Sequence, residues 1–266
     1  MNRDDTGASA PAGEHRSIWL ETTDATDYER LDGDRSVETV IVGGGIVGIT
    51  TAARLSEAGQ SVAVLERDRI VESVTGHTTA KLTSQHGLVY DHLLTHFGDR
   101  QAHQYARANE SAIDHVEATA RQYDIDCDFE RLPAYTYTRE PEQRDAIRAE
   151  VTAATRLGLP AKFVETTALP YDVEAAVRFE DQAQFHPRRY LLGLAREIVD
   201  AGNHVFENTT VTDVTDGEPC EVETDAGTIT ASDVVLATHF PIVDPAFFYA
   251  RLEPKRSYVL AVQLAE

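Results

Sequence analysis

The sequence is sparing with several residues that would announce particular kinds of protein. Cysteine occurs twice, at Cys127 and Cys220, far apart and in no CxxC pair. That excludes a disulfide framework and fits free thiols in a reducing cytoplasm, the expected location. Lysine occurs only at Lys81, Lys162 and Lys255, so most of the 24 basic residues are arginine. No apolar run approaches the roughly 18 residues that a bilayer span needs. The opening stretch MNRDDTGASAPAGEHR has no apolar core, which argues against a secretory signal; its Asp, Gly, Ser and Pro read as a disordered lead-in.

What is abundant is negative charge. Asp and Glu number 45 against 24 Lys and Arg, a formal net charge of -21. Such a surface repels nucleic acid and anionic membrane, so neither is expected as a partner. It also suits a protein that stays hydrated in concentrated salt, where screening relieves self-repulsion. A halophilic source is the first expectation, and an ordinary acidic cytosolic protein fits the composition too. The 266 residues, 42% of them hydrophobic, allow one large domain or two small ones.

The chain reads as α/β. Val37 to Val42 is a buried strand, Ile46 to Ala58 a helix ended by Gly59, and Ser61 to Leu65 a second apolar strand. This βαβ unit predicts a parallel sheet with a right-handed crossover. A hydroxyl-rich loop, VTGHTTAKLTSQHG, follows. A helix is expected over Asp99 to Tyr123, with Ala102, Ala106, Ile113, Val116 and Ala120 on one side. CDFERLPAYTYT alternates as a strand with Tyr135 and Tyr137 on one face. Pro141 and Pro187 each open a helix, strand-like AAVRFEDQAQF lies between them, and short strands follow to about Thr238.

Gly43, Gly45 and Gly48 form a GxGxxG between the first strand and the helix, and Glu66 lies at the end of the second strand. In this context each glycine has a task. Gly43 permits the tight turn, Gly45 lets a pyrophosphate approach the backbone, and Gly48 lets the helix pack close to the sheet. The helix N-terminus offers free N–H groups to phosphates. Glu66 can accept hydrogen bonds from ribose hydroxyls and would repel a 2′-phosphate, which argues against NADP. The plainer alternative is a tight strand–helix turn with no ligand.

Beyond the triad, Ala52, Leu55 and Gly59 extend the motif in the manner of FAD-binding flavoproteins. LERDRIVESVTGHTTAKLTSQHG resembles the segment that follows in the D-amino-acid oxidase and glycerol-3-phosphate dehydrogenase superfamily. SIWLETT, VTGHTTAKLTSQHG, CDFERLPAYTYT, DQAQFHP and RSYVLAVQL resemble a subfamily whose members often carry a Rieske iron–sulfur domain after the flavin domain. The resemblance runs from about Ser17 to the last residue.

The resemblance implies a Rossmann-like FAD-binding domain with an inserted α+β substrate or cap domain. The implied division is a lead-in over 1–35, the FAD-binding domain over 36–125 and 186–245, the cap over 126–185, and a return to the cap from 246 to 266. It implies FAD as cofactor, with Gly43, Gly45 and Gly48 at the pyrophosphate, Glu66 at the adenosine ribose and Arg67 near the adenine. Thr75, His77, Thr78, Thr79 and Lys81 match the loop near flavin and pyrophosphate. Val211 matches a position whose backbone meets the adenine, and Ala237 and Thr238 match a strand closing over the cofactor. His239 stands where such proteins usually carry glycine. Neither cysteine lies in the paired Cys and His motifs of a Rieske site, and the chain resembles the N-terminal half of a longer protein.

Other residues leave choices open. His86 follows the loop and could serve a flavin site as acid or base, or be a structural histidine. Tyr135, Tyr137, Arg256 and Tyr258 could line a substrate cavity, or simply pack and pair. His92 and His96 lack a third ligand, so no metal is expected. The expected function is an FAD-dependent oxidoreductase taking a hydride from an amine, amino acid or hydroxy acid and passing electrons to an unknown acceptor. Two alternatives stand beside it: a truncated, non-catalytic nucleotide-binding module that needs a partner, and an NAD-binding dehydrogenase, which leaves the loop TGHTTAKLTS unexplained.

Overall fold

The structure, a computed structural model, describes residues 16–243, 247–253 and 255. In chain order the elements begin with α1 (Ile18–Glu21), β1 (Arg35–Val42), α2 (Ile46–Glu57), β2 (Val62–Leu65), a 3₁₀ turn (Val74–His77), β3 (Lys81–Leu82) and α3 (Tyr90–Gln122). They continue with β4 (Glu130–Thr138), α4 (Arg144–Arg156), β5 (Ala161–Val164), β6 (Ala175–Gln184), α5 (Pro187–Asp200), β7 (His204–Phe206), β8 (Val211–Thr215), β9 (Cys220–Thr224) and β10 (Gly227–Leu236). Arg256 and Tyr258 lie outside the described residues.

A six-stranded sheet runs β7-β2-β1-β10-β9-β8. Its first four strands are parallel, and β9 and β8 complete it as an antiparallel meander. Both faces are covered, which is why β1 and β2 read as apolar runs rather than alternating ones. Ile41, Val62, Val64 and Val205 pack under α2 and α5. Val40, Val42, Ala63, Leu65 and Phe206 face the other way and meet Val222, Ile229 and Ala231 of the meander. The period-two alternation therefore sorts one strand between two cores.

The second sheet is centred on β6. β4 lies along one edge, while β3 and β5 share the other, β3 at Ala183–Gln184 and β5 at Ala176–Phe179. α4 covers one face through a core of Ile147, Ala153, Ala154, Val177 and Phe179. That core also takes Tyr90, Ala102 and Ala106 of α3. The division at 125/126 expected from the sequence is therefore displaced: β3 and the first part of α3 belong with the second core. The reason is long-range pairing, which local pattern does not reveal.

α3 starts nine residues earlier than its periodicity predicts, and Gly98 interrupts it with φ 78. Only glycine takes that conformation readily, so the helix bends there. Its first turn is capped from another helix: the carboxylate of fully buried Glu150 accepts hydrogen bonds from Tyr90 and Asp91 N–H, each at 3.0 Å. Among the described residues, no helix is long and apolar enough to cross a membrane.

Candidate cofactor site

The parallel strands end together. Val42 pairs with Leu65 and Leu236, and Leu65 with Phe206. The ladder runs one residue further: Glu66 N–H donates to Phe206 O (2.9 Å), Gly43 N–H to Leu65 O and Ala237 N–H to Val42 O (2.8 Å each). Glu207, Glu66, Gly43 and Ala237 thus form a row across the carboxyl edge of the sheet, where open α/β sheets take their ligands.

Each glycine at this edge faces a different neighbour. Gly43 has φ 112, and a Cβ there would stand 2.5 Å from Ala237 O. A Cβ on Gly48 would lie 1.8 Å from Gly43 O, so the helix can approach the turn only without it. A Cβ on Gly45 would meet only Thr75 Oγ1, at 3.3 Å. Gly45 caps α2 without a side-chain hydrogen bond, so the first helical turn presents its N–H groups outward. One of them, Ile46 N–H, donates to Thr75 Oγ1 at 3.2 Å. This is an open cradle at a helix N-terminus, and it fits the pyrophosphate of a dinucleotide.

The edge around Glu66 is equally ordered. Glu66 Oε2 accepts from Gly44 N–H (2.8 Å) and Oε1 from Asp68 N–H (3.1 Å), which fixes the carboxylate. Arg67 is exposed and pairs with Asp68. Thr209 N–H donates to Glu66 O and Asn208 N–H to Asp68 O, bringing the segment that leads to Val211 beside Glu66 and Arg67. Val211 itself begins β8.

The loop after β2 closes the other end. His77 Nδ1 lies 2.9 Å from Ser73 O, Ala80 N–H reaches Thr78 Oγ1, and Lys81 Nζ donates to Thr79 Oγ1 at 3.2 Å. Val71 (φ 59) and Ala80 (φ 58) bracket the loop in the left-handed region. For β-branched Val71 that costs about 1–2 kcal/mol. Thr238 Oγ1 donates to Phe240 O at 2.7 Å. His239 has φ 64, in the left-handed region that glycine enters most readily. Ile46, Val47, Val74, Leu236 and Phe240 are exposed large apolar residues on the segments around this edge.

The remaining candidates lie elsewhere. His86 is exposed, its Nδ1 2.7 Å from Tyr105 OH. Tyr135 and Tyr137 share a face of β4, and Tyr137 OH lies 2.7 Å from Tyr171 OH. That hydrogen bond, more than burial, raises the Tyr171 pKa. His92 and His96 stack at 4.0 Å, and no group of three metal-ligating side chains occurs among the described residues.

The sequence reading missed several residues. Arg178 sits across from Tyr135 with its guanidinium 5.7 Å from the ring, and its buried Nε has no partner. Buried Gln182 accepts from Ser84 N–H (2.7 Å) and donates to Glu110, tying the loop's exit to α3. Arg188 is 1% exposed and joins the N-terminal segment to residues 70–72. DQAQFHP was the one available signal, since it contains Gln182 and immediately precedes Arg188.

Comparison with known proteins shows the family. The family model described as "DAO: FAD dependent oxidoreductase" matches residues 38–266. The chain is 36% identical over 249 residues to YhfW of Bacillus subtilis (strain 168), by name a Rieske 2Fe-2S iron-sulfur protein, covering 93% of this chain and 49% of that one. It is 24% identical over 246 residues to gamma-glutamylputrescine oxidoreductase of Escherichia coli (strain K12), covering 89% and 56%. Among solved structures, L-proline dehydrogenase from P. horikoshii superposes with TM-score 0.65 at 21% identity, covering 78% of this chain and 54% of that one. L-Amino acid deaminase from Proteus myxofaciens gives TM-score 0.65 at 19% identity, covering 81% and 48%. The chain spans about half the length of the curated relatives it matches.

Proposed function

The chain belongs to the DAO family of FAD-dependent oxidoreductases, and from that premise we propose that it binds FAD along the row from Glu207 to Ala237 and oxidises an amine or amino acid. The observation that carries the reading is the cradle at Gly45, open to a ligand and closed to the rest of the protein except Thr75. FAD replaces the NAD alternative, because it is the cofactor of the family.

When bound, FAD supplies a hydride acceptor. The protein's part is to hold and orient. Gly43, Gly45 and Gly48 shape the pyrophosphate turn, and Glu66 accepts from ribose hydroxyls. Arg67 and the backbone at Val211 flank the adenine. Thr75, His77, Thr78, Thr79 and Lys81 surround pyrophosphate and flavin, with Ala237 and Thr238 closing the other side. Tyr135, Tyr137 and Arg178 are the substrate-side candidates. Arg178, whose guanidinium pairs with Glu180 at 2.9 Å, is of the residue type that suits a substrate carboxylate, and Arg256 and Tyr258 remain candidates from sequence. His86 retains Nε2 for a proton while Tyr105 engages Nδ1.

The names of the related proteins, an amine-compound oxidoreductase and enzymes of amino acids, favour that substrate class over a hydroxy acid. The name of the B. subtilis relative favours an iron–sulfur centre as electron acceptor. A second reading, a module that needs a partner, is supported by exposed Phe240, Ile242, Phe247 and Leu252.

The test is a visible spectrum of the protein purified in high salt and then desalted. Retained flavin absorbance supports the reading. A folded, colourless protein that takes up no added FAD refutes it. The acidic surface supports a salt-rich cytoplasm, and Tm should rise from about 0.1 M to about 2 M KCl; a flat or falling Tm removes the halophilic part.

A further inference from the structure

The N-terminal segment read from sequence as a lead-in is, from Arg16 onward, built into the site. It crosses the outside of the loop that follows β2 and is fastened at three places. At the first, Ser17 Oγ donates to Gly76 O and Trp19 Nε1 to Thr78 O (2.7 Å). Leu20 packs against Gly76, where a Cβ would lie 3.4 Å from Leu20 Cδ2 and 2.5 Å from Val71 O.

At the second, the guanidinium of Arg188 bridges the segment and the loop's start. Nε donates to Thr23 Oγ1 (2.7 Å), one terminal nitrogen to Asp24 O (3.1 Å), and the other to Ile70 O (3.2 Å) and Val71 O (3.4 Å), with Glu72 at 3.6 Å. At the third, buried Glu207 accepts from Thr26 Oγ1 and Tyr28 N–H on the segment and from Ile70 N–H at the loop. An arginine and a glutamate buried this fully are retained only where every partner is in place.

These contacts act on the loop's direction. The trans peptide sets C=O and N–H on opposite sides. With Thr78 O turned to Trp19, the Thr79 N–H points away from the segment, and among the described residues it has no protein acceptor. The inner side of the loop meets α2 through Thr75. The loop, carrying the strain at Val71 and Ala80, is therefore held between helix and segment.

We propose that residues Ser17–Leu31 form a strap that locks the hydroxyl-rich loop in its cofactor-holding conformation, that Ser17, Trp19 and Arg188 are its positioning residues, and that FAD leaves only after the Ser17–Trp19 end lets go. The inference rests on FAD being bound at this site. Trp19 is the single tryptophan of the chain, so its emission reports on the strap alone.

The experiment compares wild type with S17A/W19F. The double variant removes both hydrogen bonds to the loop but keeps an aromatic ring against His186, which Trp19 meets at 4.9 Å. The FAD dissociation rate, followed by the rise of free-flavin fluorescence on dilution, should increase roughly ten- to hundredfold. Tm of the apo-protein should stay within a few degrees. In wild type, FAD should cut the acrylamide quenching constant of Trp19 by about half or more, a readout that stands even if the variant fails to fold. A variant that holds FAD as long as wild type, or Trp19 quenching unchanged by bound FAD, overturns the strap and leaves the cofactor reading intact. Wild type that takes up no FAD overturns both.

Discussion

Gly45→Ala should separate the fold from the cofactor. Gly45 has φ −85 and ψ −171, an extended conformation that alanine adopts without strain. The new methyl would meet only Thr75 Oγ1, at 3.3 Å, the end of a side chain that can give by a few tenths of an ångström. Alanine is a poorer helix cap than glycine, but it also restricts the unfolded chain, and these opposing effects are each about 0.5–1 kcal/mol. Apo-protein stability should therefore stay within about 1 kcal/mol of wild type. The cofactor meets a different surface, because the methyl stands where the pyrophosphate approaches the first turn of α2. Overpacking of about 1–3 kcal/mol corresponds to roughly 5- to 150-fold weaker binding. Urea denaturation of both apo-proteins and fluorescence titration with FAD measure the two quantities. A variant that binds FAD like wild type would show that the phosphates do not lie over Gly45. A variant that fails to fold would refute the clearance argument.

Three further outcomes follow from the same geometry. Gly48→Ala drives a methyl to 1.8 Å from Gly43 O, a backbone atom that cannot turn aside; urea denaturation should show about 3 kcal/mol or more lost, and near-wild-type stability would contradict the packing described. Glu150→Gln turns an amide NH2 toward one of two N–H donors; stability should fall by about 1–3 kcal/mol with FAD affinity unchanged, because the hydrogen-bond partners of Glu150 are Tyr90 and Asp91, neither of them among the cofactor-site residues. His186 Nδ1 accepts from Arg189 N–H, so Nε2 carries the proton beside Thr22 Oγ1. Burial, with Arg189 and Arg188 against Asp128, holds its pKa below the usual value. The unfolded chain then binds the proton more readily, so this contribution is full above about pH 6.5 and is lost as pH falls through the lowered value. His186→Asn keeps an N-cap acceptor, and its Tm should fall less than that of wild type between about pH 7 and about pH 5; parallel curves would refute the assignment.

What could be read from the sequence was what is local. The strand, glycine turn, helix and Glu66 lie within 30 residues and interact with one another, so their spacing carries their geometry. Pro141, Gly158 and Pro187 marked helix ends in the same way. The second sheet was only half legible: β4 and β6 alternate, but β3 joins them across about a hundred residues at Ala183 and Gln184, and nothing in Lys81–Leu82 says so. The strap was invisible because its bonds join residues far apart in sequence, Trp19 with Thr78, Thr23 with Arg188 and Tyr28 with Glu207. Arginine is rarely buried, and Arg188 is so because Thr23 Oγ1, the carbonyls of Ile70, Val71 and Asp24 and the Glu72 carboxylate meet its guanidinium. Arg178 was passed over beside two tyrosines on a neighbouring strand, because its place opposite Tyr135 follows from the pairing of β4 with β6.

The contact between Gly48 and Gly43 has a consequence for descent. A copy of this protein relieved of its chemistry would still be held to both glycines, because losing Gly48 alone collides with the chain itself. Gly45 is under no such obligation; its neighbour is a single hydroxyl. In a lineage drifting away from cofactor binding, the middle glycine should erode first, and the outer two should persist as a record of architecture. A motif that survives whole is then a sign of use, and one with only its ends intact is a sign of inheritance.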